Sequence, residues 1–401
     1  MTWPTVAVGD VCLATTQVDP ARRGAPTFRY VDISGVDREA KAIIKFDKLP
    51  AESAPSRARK LIEASDVLVS TVRPNLNAVA FVPPELDGEI ASTGFSVLRA
   101  NENVSSAKFL FYWTQHTSFV DFLVANATGA SYPAVSDAIV KRAPLPLPPV
   151  SEQHRIVELL DQADSLRRQR RKADATAVRI LPALFLKMFG DPVTNPMGWS
   201  EKPFDEAFRD TTAGNGKLQS KQIQESGAIA VVDQGQSQIA GYTYDESLAY
   251  KGDLPAIIFG DHTRIFKFVD HPFVLGADGV RVLASKGDFD PLFAYWHCQM
   301  LDISSAGYSR HFKFLKEKSF ICPDEALQKR FAVIAESLMA RLSALENAAR
   351  DVEELFSALL RKAFTGDLTA KWRSAHMQEL LLEMQQQAKA LSLPMPKEIA
   401  A

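Results

Sequence analysis

The chain has 401 residues, of which 46% are hydrophobic and 23% charged, and its formal net charge is −2 at pH 7. This composition is typical of a globular protein of two or three domains, and it excludes a chain whose overall positive charge attracts nucleic acid. The three scattered cysteines argue against a disulfide framework or a zinc site, and neither an export signal nor a run of ~18 apolar residues is visible, so we expect a cytoplasmic protein without membrane contact.

The first elements that the sequence predicts are short β-strands. DVLVSTV, from residue 66, and GFSVL, from residue 94, are rich in β-branched and aromatic residues and are bounded by polar or glycine-containing turns. They lead to an apolar segment around Tyr112 and Trp113, which predicts a buried helix.

The same order of elements returns in the second half. Strand-like runs begin at residues 256 and 279, and Tyr295 and Trp296 then lie 183 residues after Tyr112 and Trp113. Further matches stay in chain order as the offset drifts from 187 to 175 residues, which small insertions and deletions in a duplicated unit would produce. The sequence therefore predicts an internal repeat.

A long helix follows the globular part of each half. The first has Ser151 as its expected N-cap, and Pro182 should kink or end it. Heptad counting with a first step of three residues gives an apolar seam on each helix, so we expect an antiparallel, coiled-coil-like pair, roughly 55 Å long. The seam residues are Ile156, Leu159, Leu166, Ile180, Phe331, Ile334, Leu338, Leu345 and Leu355.

These elements predict an α+β fold, with two mixed α/β domains separated by two long helices. The predicted segments are residues 1–149, 150–190, 191–323, 324–366 and a tail, 367–401. The tail contains the amphipathic stretch MQELLLEMQQQAKALSL. Its pattern fits either a helix that docks on a partner or a frayed end, and the sequence does not decide between them.

A search for catalytic motifs finds little. TNPMGW lacks the second proline and aromatic residue of an adenine-methylating site, and GNGK lacks the spacing of a phosphate-binding loop. Asp32, Glu39 and Lys41 resemble a metal-nuclease set only weakly, because Glu-x-Lys is common by chance. The sequence predicts a chain that is non-catalytic by itself and holds no metal.

Polar and basic loops beside the predicted strands are better candidates for function. Arginine can bridge the O6 and N7 atoms of guanine, asparagine can bridge N6 and N7 of adenine, and lysine and serine suit phosphates. The loops at 128–137 and 307–318 also occupy equivalent places before the two long helices. The candidate DNA-binding residues are Arg73, Asn75, Asn77, Ser131, Tyr132, Ser136, His262, Thr263, Arg264, Arg310, His311 and Lys313.

The order STVRPNLN, IASTGFSVLRA, GASYPAVSD and PLPLPPVSEQHRIVELLD resembles the specificity subunit of type I restriction-modification systems. FGDHTR, RHFKFLKE and LLRKAFTGDL in the second half extend the likeness from residue 1 to about residue 372. Two departures are FICPD, where a second PLPP-like entry is usual, and the tail after residue 372.

This resemblance implies two target-recognition domains that bind the two parts of a DNA site. It further implies that two modification subunits dock on the paired helices, and that restriction subunits join the complex. S-adenosylmethionine, ATP and Mg²⁺ would then belong to the partner subunits, with no cofactor on this chain. Because the loops of the two halves differ, the two half-sites should differ as well.

Three alternatives remain open at this point. The chain could serve methylation only, without a restriction partner; it could be a solitary DNA nuclease using Asp32, Glu39 and Lys41; or it could be a coiled-coil scaffold with no role on DNA. The sequence does not reveal which bases are read, how long the gap between half-sites is, or which loop residues touch bases rather than phosphates.

Overall fold

The computed structural model describes residues 3–277, 279–304, 307 and 310–393. They form two compact units. Unit 1 combines the residues up to Arg171 with those from Ala349 onward, and unit 2 contains Lys172–Ala348. Both boundaries fall inside the long helices, so each long helix contributes to both units.

Unit 1 is a mixed α/β unit built from short strands and helices. Its strands are β1 (Thr5–Ala7), β2 (Cys12–Leu13), β3 (Thr27–Val31), β4 (Val36–Asp37), β5 (Ala42–Ile43), β6 (Asp47–Pro50), β7 (Ala58–Leu61), β8 (Val67–Ser70), β9 (Val79–Phe81), β10 (Ile90–Ser92), β11 (Phe95–Ala100) and β12 (Pro144–Pro146). Its helices begin with α1 (Ala107–Trp113), α2 (Thr117–Ala125), α3 (Asp137–Arg142) and α4 (Val150–Ala177).

Two four-stranded sheets form the body of unit 1. One has the order β2-β11-β8-β9 with antiparallel neighbours, and the other has the order β6-β3-β10-β7, in which only β3 and β10 are parallel. Every residue of β8 is buried, which explains why its sequence is a continuous apolar run without polar alternation. The predicted strands at 66 and 94 correspond to β8 and β11.

Unit 2 contains the same kinds of element. After α5 (Ile180–Phe189) come β13 (Ser200–Pro203), α6 (Phe204–Ala207), β14 (Phe208–Asp210), β15 (Lys217–Leu218), β16 (Ile229–Val232), β17 (Gly241–Thr243), β18 (Ala256–Gly260), β19 (Phe266–Val269), β20 (Phe273–Gly276), β21 (Val280–Ser285), α7 (Pro291–Met300), α8 (Phe312–Lys316), β22 (Ser319–Cys322) and α9 (Glu325–Thr365). Its two four-stranded sheets have the orders β14-β21-β18-β19 and β15-β20-β16-β17, and β13 pairs with β22.

The helical Tyr-Trp segments lie at corresponding places in the two units. Tyr112 and Trp113 are buried in α1, and Tyr295 and Trp296 are half-buried in α7. The phenol of Tyr112 donates a hydrogen bond of 2.7 Å to Asp161 on α4. This contact attaches the globular part of unit 1 to its long helix.

In unit 1, α4 packs against the C-terminal part of α9. Arg171 and Arg167 both bond to Glu353, and the Arg167 guanidinium lies 3.9 Å from the ring centroid of Phe356. Arg171 contacts Glu353, and the earlier residue Arg167 also contacts the later residue Phe356. The two helices therefore run antiparallel within this unit. In unit 2, Phe185 and Phe189 of α5 each lie 5.5 Å from Phe331 of α9. The first long helix breaks at residues 178–179, one turn before Pro182, as that proline predicts.

The predicted helix seam needs a correction in its phase. Ile156 and Phe331 are fully buried, but the next fully buried apolar position lies four residues later, at Leu160 and Ala335, and not three residues later. Leu159, Ile334 and Leu338 are only partly buried. The remaining predicted seam residues are exposed, with relative accessibilities of 58% for Leu166, 46% for Ile180, 38% for Leu345 and 55% for Leu355.

The C-terminal segment folds onto unit 1 through α10 (Ala370–Ala375) and α11 (Met377–Ala390). Leu380, Met384 and Ala388 are buried, and the Gln387 side-chain amide donates to the carbonyls of Val104 (2.9 Å) and Pro148 (3.2 Å). This packing contradicts a frayed end for residues 370–390, and docking of the segment on a partner stays a prediction. Residues 394–401 lie outside the described part.

Contacts between α11 and the start of α4 also correct the expected helix cap. Helix α4 begins at Val150, so Ser151 lies inside its first turn and is not the N-cap. The Glu383 carboxylate of α11 accepts hydrogen bonds from the backbone N–H (2.9 Å) and the hydroxyl of Ser151. A negative charge here also suits the positive end of the helix dipole.

The mixed α+β class predicted from the sequence is confirmed. The division into five segments stays a prediction. Among the described residues, no helix is long and apolar enough to cross a membrane.

Candidate nucleic-acid interface

The two candidate loops of unit 1 contact each other. Val72, two residues after β8, forms an antiparallel bridge with Ala134, and the Arg73 backbone N–H donates to the Pro133 carbonyl at 2.7 Å. The Val135 N–H also donates to the Thr71 carbonyl at 2.8 Å. Backbone bonds therefore join segments some 60 residues apart into one rigid surface.

Arg73 and Tyr132 form the exposed tip of this surface. The Arg73 guanidinium lies 4.8 Å from the Tyr132 ring centroid, and Tyr132 is 69% exposed. Arg73 has a φ of 49°, a left-handed conformation that costs energy in a residue other than glycine. A flat cation beside an exposed aromatic ring can both bridge a base edge and stack on a base.

The remaining candidates of unit 1 differ in what their side chains do. Asn75 and Ser131 are exposed, whereas Asn77 is half-buried. The backbone carbonyl of Asn77 accepts a hydrogen bond of 2.6 Å from the Lys41 amine. Ser136 is exposed but is the N-cap of α3, where its hydroxyl accepts the Ile139 N–H at 3.3 Å, so its first role is structural.

Lys41 lies under the loop and was not predicted as part of this interface. Burial, together with the positive charges of Arg167 and Arg171, lowers the pKa of its amine to about 8. Glu39 lies with these arginines along one groove. The sequence offered no signal for this placement, because Lys41 precedes β5 and meets Asn77 only through the fold.

The candidate loops of unit 2 also meet, and one carboxylate joins them. Asp261 is 2% exposed; its backbone carbonyl accepts the His311 N–H at 2.8 Å, and its side chain accepts the Phe312 N–H at 2.7 Å. The loop after β18 is thereby fixed to the start of α8. This repeats in unit 2 what Val72 and Ala134 do in unit 1.

His311 is misassigned as a DNA-binding residue. It is 1% exposed, and its Nδ1 atom lies 2.9 Å from the Asp261 carbonyl. The sequence cannot reveal this, because burial follows from the contact with a loop fifty residues earlier. Arg310 and Lys313 on either side are exposed, and the Lys313 amine lies 4.7 Å from the Phe314 ring centroid.

Arg264 and Thr263 are exposed on the loop after β18. Arg264 has a left-handed φ of 63°, and its guanidinium donates to the Ile303 carbonyl at 2.9 Å. The Thr263 hydroxyl donates to the backbone carbonyl of Gln234 at 2.7 Å. His262 is half-buried, and its backbone N–H donates to the Gln234 side-chain oxygen at 3.1 Å.

Sequence reasoning missed the loop that carries Gln234. Residues 233–238, DQGQSQ, follow β16 and contact the candidate loop after β18. The signal that could have marked them is the density of amide side chains around a glycine.

In the described part of the chain, no group of His, Cys, Asp or Glu side chains is arranged to hold a metal ion. The weak Asp32, Glu39 and Lys41 set is not assembled: the Lys41 amine points to the Asn77 carbonyl. Cys12, Cys298 and Cys322 are free thiols.

The known proteins to which this chain is similar come from type I restriction-modification systems. Residues 2–174 match the family described as type I restriction modification DNA specificity domain. The specificity subunit of the type I restriction enzyme HindI from Haemophilus influenzae is 27% identical over 139 residues, which are 34% of this chain and only 30% of that relative.

Solved structures are similar over most of the chain. One, from a study of complex assembly and conformational transition of the type I R-M system, is 26% identical, with 92% of this chain and 98% of that chain covered and a TM-score of 0.57. A type I restriction-modification S subunit from M. genitalium is 14% identical, with 91% and 96% covered and a TM-score of 0.56, and supports the fold alone. The resemblance predicted from the sequence is confirmed.

Proposed function

We propose that the whole chain is the DNA sequence-recognition subunit of a type I restriction-modification complex, because residues 2–174 match the type I restriction modification DNA specificity domain family. The observation that carries the proposal is that in each unit two separate loops, at least one of which has an exposed arginine, are joined by backbone hydrogen bonds. Arg73 and Arg264 both have left-handed backbones on such loops. Fixed arginines suit the reading of base edges better than mobile ones.

Each unit reads one half of a bipartite DNA site. The exposed groups differ, with an arginine stacked on a tyrosine in unit 1 and Thr263, Arg264, Arg310 and Lys313 in unit 2. Different donors and acceptors select different bases, so the complete site is asymmetric. The net charge of −2 leaves much of the phosphate contact to partner subunits.

The long helices set the gap between half-sites and dock two modification subunits. Leu166 and Leu355 support the docking role, because they are large apolar side chains that remain more than half exposed on α4 and α9. Exposed apolar patches commonly mark protein interfaces. The internal repeat fits two docking positions, since equivalent surfaces would occur twice.

The chain itself is non-catalytic in this proposal. Methylation of adenine with S-adenosylmethionine belongs to the modification subunits, and ATP- and Mg²⁺-dependent cleavage to restriction subunits. A methylation-only complex without a restriction partner is the alternative, and a cleavage assay with the reconstituted complex distinguishes the two.

The testing experiment is co-expression of this chain with its modification subunit, followed by genome-wide mapping of methylated adenines. We expect a split motif with a fixed gap, which disappears when this chain is omitted. Methylation that is unchanged by the omission, or a stable complex that methylates no defined motif, would contradict the proposal.

A further inference from the structure

The loop at residues 233–238 of unit 2 lies beside the candidate interface but outside the predicted loops. We propose that it is a third base-reading loop, which presents the Gln236 amide to an adenine edge and is held in place by Lys267 as a positioning residue. This inference rests on the proposed function and assigns part of the second half-site to named residues.

The loop is closed by hydrogen bonds at both ends. The Asp233 carboxylate accepts the Gly235 N–H at 2.8 Å, which forms a tight turn at the start. At the other end, the Gln238 side-chain amide donates to the Phe268 carbonyl on β19 at 2.7 Å. The segment between them therefore has a defined backbone path.

Lys267 joins the two ends from below. It is 2% exposed, and its amine donates to the Ser237 carbonyl at 2.5 Å and lies 3.4 Å from an Asp233 carboxylate oxygen. Burial lowers the pKa of this amine, and the charge of Asp233 opposes that shift. Burying an ammonium group costs free energy unless charged and hydrogen-bonding partners compensate for the lost water. Both partners of the Lys267 amine, Asp233 and Ser237, lie in the loop.

Close packing fixes the loop against its neighbours. The side-chain oxygen of Gln234 accepts a hydrogen bond from the His262 N–H, and the backbone carbonyl of Gln234 accepts one from the Thr263 hydroxyl. A Cβ atom at Gly279 would lie 2.7 Å from the Gln234 side-chain nitrogen, and one at Gly276 would lie 2.6 Å from the Asp233 Cβ. At Gly276 a side chain would displace Asp233 itself, and Gly279 has a left-handed φ of 83°, so glycine at both positions favours the close approach of the loop to the strands.

These contacts leave one glutamine at the exposed turn. The amides of Gln234 and Gln238 are engaged with protein groups, whereas Gln236 is exposed between them. A glutamine amide places a donor beside an acceptor, which matches N7 and the N6 amino group of adenine in the major groove. The loop thus offers adenine-specific chemistry on a preorganised support.

The test maps methylation motifs for complexes containing the wild-type chain, Gln236→Ala, Lys267→Met and the control Gln222→Ala, an exposed glutamine elsewhere in unit 2. For Gln236→Ala we expect one adenine position in the second half-site to become degenerate, with a loss of discrimination of roughly 5- to 150-fold. The first half-site and the control should be unchanged. Lys267→Met should relax the same position, a change that a purely stabilising lysine would not cause.

An unaltered motif for Gln236→Ala would overturn the inference while leaving the proposed function intact. Equal loss of methylation at all sequences would also overturn it, since that indicates a phosphate contact or misfolding. If Lys267→Met does not fold, Gln236→Ala alone decides. Absence of any split motif with the wild-type chain would instead contradict the proposed function.

Discussion

Gln153 and Gln328 make equivalent hydrogen bonds in the two units. Each is fully buried near the start of a long helix, and each amide joins two backbone carbonyls to one backbone N–H. For Gln153 the partners are Val104 at 3.0 Å, Pro148 at 2.9 Å and Ser106 N–H at 2.9 Å; for Gln328 they are Asp288 at 3.0 Å, Pro323 at 2.8 Å and Asp290 N–H at 3.0 Å. The 175-residue spacing of the two glutamines supports the internal repeat.

The two glutamines should nevertheless differ in their importance for stability. Gln328→Leu leaves three backbone groups without this partner, and each buried unsatisfied group costs about 1–3 kcal/mol, so unit 2 should lose at least about 3 kcal/mol. Gln153→Leu should cost unit 1 only about 1–2 kcal/mol, because Gln387 still donates to both carbonyls. Native-state hydrogen exchange measures the opening free energy of each unit separately.

The exposed Gln162→Leu substitution on α4 is the matched control for this pair. Equal losses of opening free energy for Gln153→Leu and Gln328→Leu would show that the hydrogen bonds of Gln387 do not compensate for the loss of Gln153 in unit 1.

The C-terminal segment should be required for the stability of unit 1. Glu152 is fully buried and accepts hydrogen bonds from Trp3 at 3.0 Å, Thr369 at 2.6 Å and Arg373 at 2.7 Å. Arg373→Met leaves a buried carboxylate without its cation, which typically costs about 3–5 kcal/mol. Urea denaturation of the full chain measures the loss.

Arg155→Met provides the control for this loss, because the Arg155–Glu158 pair lies on the surface and should be worth at most about 1 kcal/mol. Similar losses in the two variants would mean that the buried pair is no more important than an exposed one. Adding Glu152→Gln to Arg373→Met should recover part of the stability, since it removes the uncompensated charge.

The sequence predicted those features that depend on local pattern. Apolar runs located β8 and β18, and the loops after them could be selected by residue type alone. The helix seam failed at a finer level: Ile156 and Phe331 were correct starting points, but the order of the three- and four-residue steps was reversed. Hydrophobicity does not fix that order here, because Leu159 and Leu160 are adjacent and equally apolar.

Features that depend on contacts distant in sequence could not be predicted. Arg167 occupies a buried seam position because Glu353 and Phe356 satisfy its charge and cover its stem. His311 is buried because the Asp261 carboxylate accepts a hydrogen bond from the Phe312 N–H and so holds the start of α8 against the loop after β18. The buried partners of the C-terminal segment, such as Val104, lie more than 280 residues away in the chain.

Lys41 should make stability depend on pH in the alkaline range. Its pKa is about 8 in the folded chain against 10.5 for the free side chain, so between these values the unfolded chain binds more protons. Stability should therefore rise with pH across this window, by on the order of 2 kcal/mol, as the cost of the buried charge disappears. Denaturation between pH 7 and pH 10.5 should show this rise in the wild type and not in Lys41→Met.

Lys45→Met, at an exposed lysine on the same segment, is the matched control for the pH series. An identical pH profile for the wild type and Lys41→Met would show that the Lys41 amine is not desolvated.

The exposed leucines on the long helices should matter for partner binding and not for folding. Leu166→Glu and Leu355→Glu place charges on side chains that are more than half exposed, so the melting temperature should change little. Binding of the modification subunit should weaken at least 10-fold if these leucines lie under it, as measured by titration calorimetry. Leu13→Glu, at a 47% exposed leucine on β2, is the control; equal binding by all three variants would place the docking surface elsewhere.

The two arginines on the candidate loops should control different halves of the DNA site. Arg73→Ala should relax base preference only in the half-site read by unit 1, and Arg264→Ala only in the half read by unit 2. One bidentate arginine–guanine contact discriminates by about 1–3 kcal/mol, which is roughly 5- to 150-fold. Arg264 retains this capacity because its bond to the Ile303 carbonyl uses only part of the guanidinium. Motif mapping with Arg22→Ala, an exposed arginine of unit 1, as the control measures the effect; weaker binding to every sequence alike would make both arginines phosphate contacts.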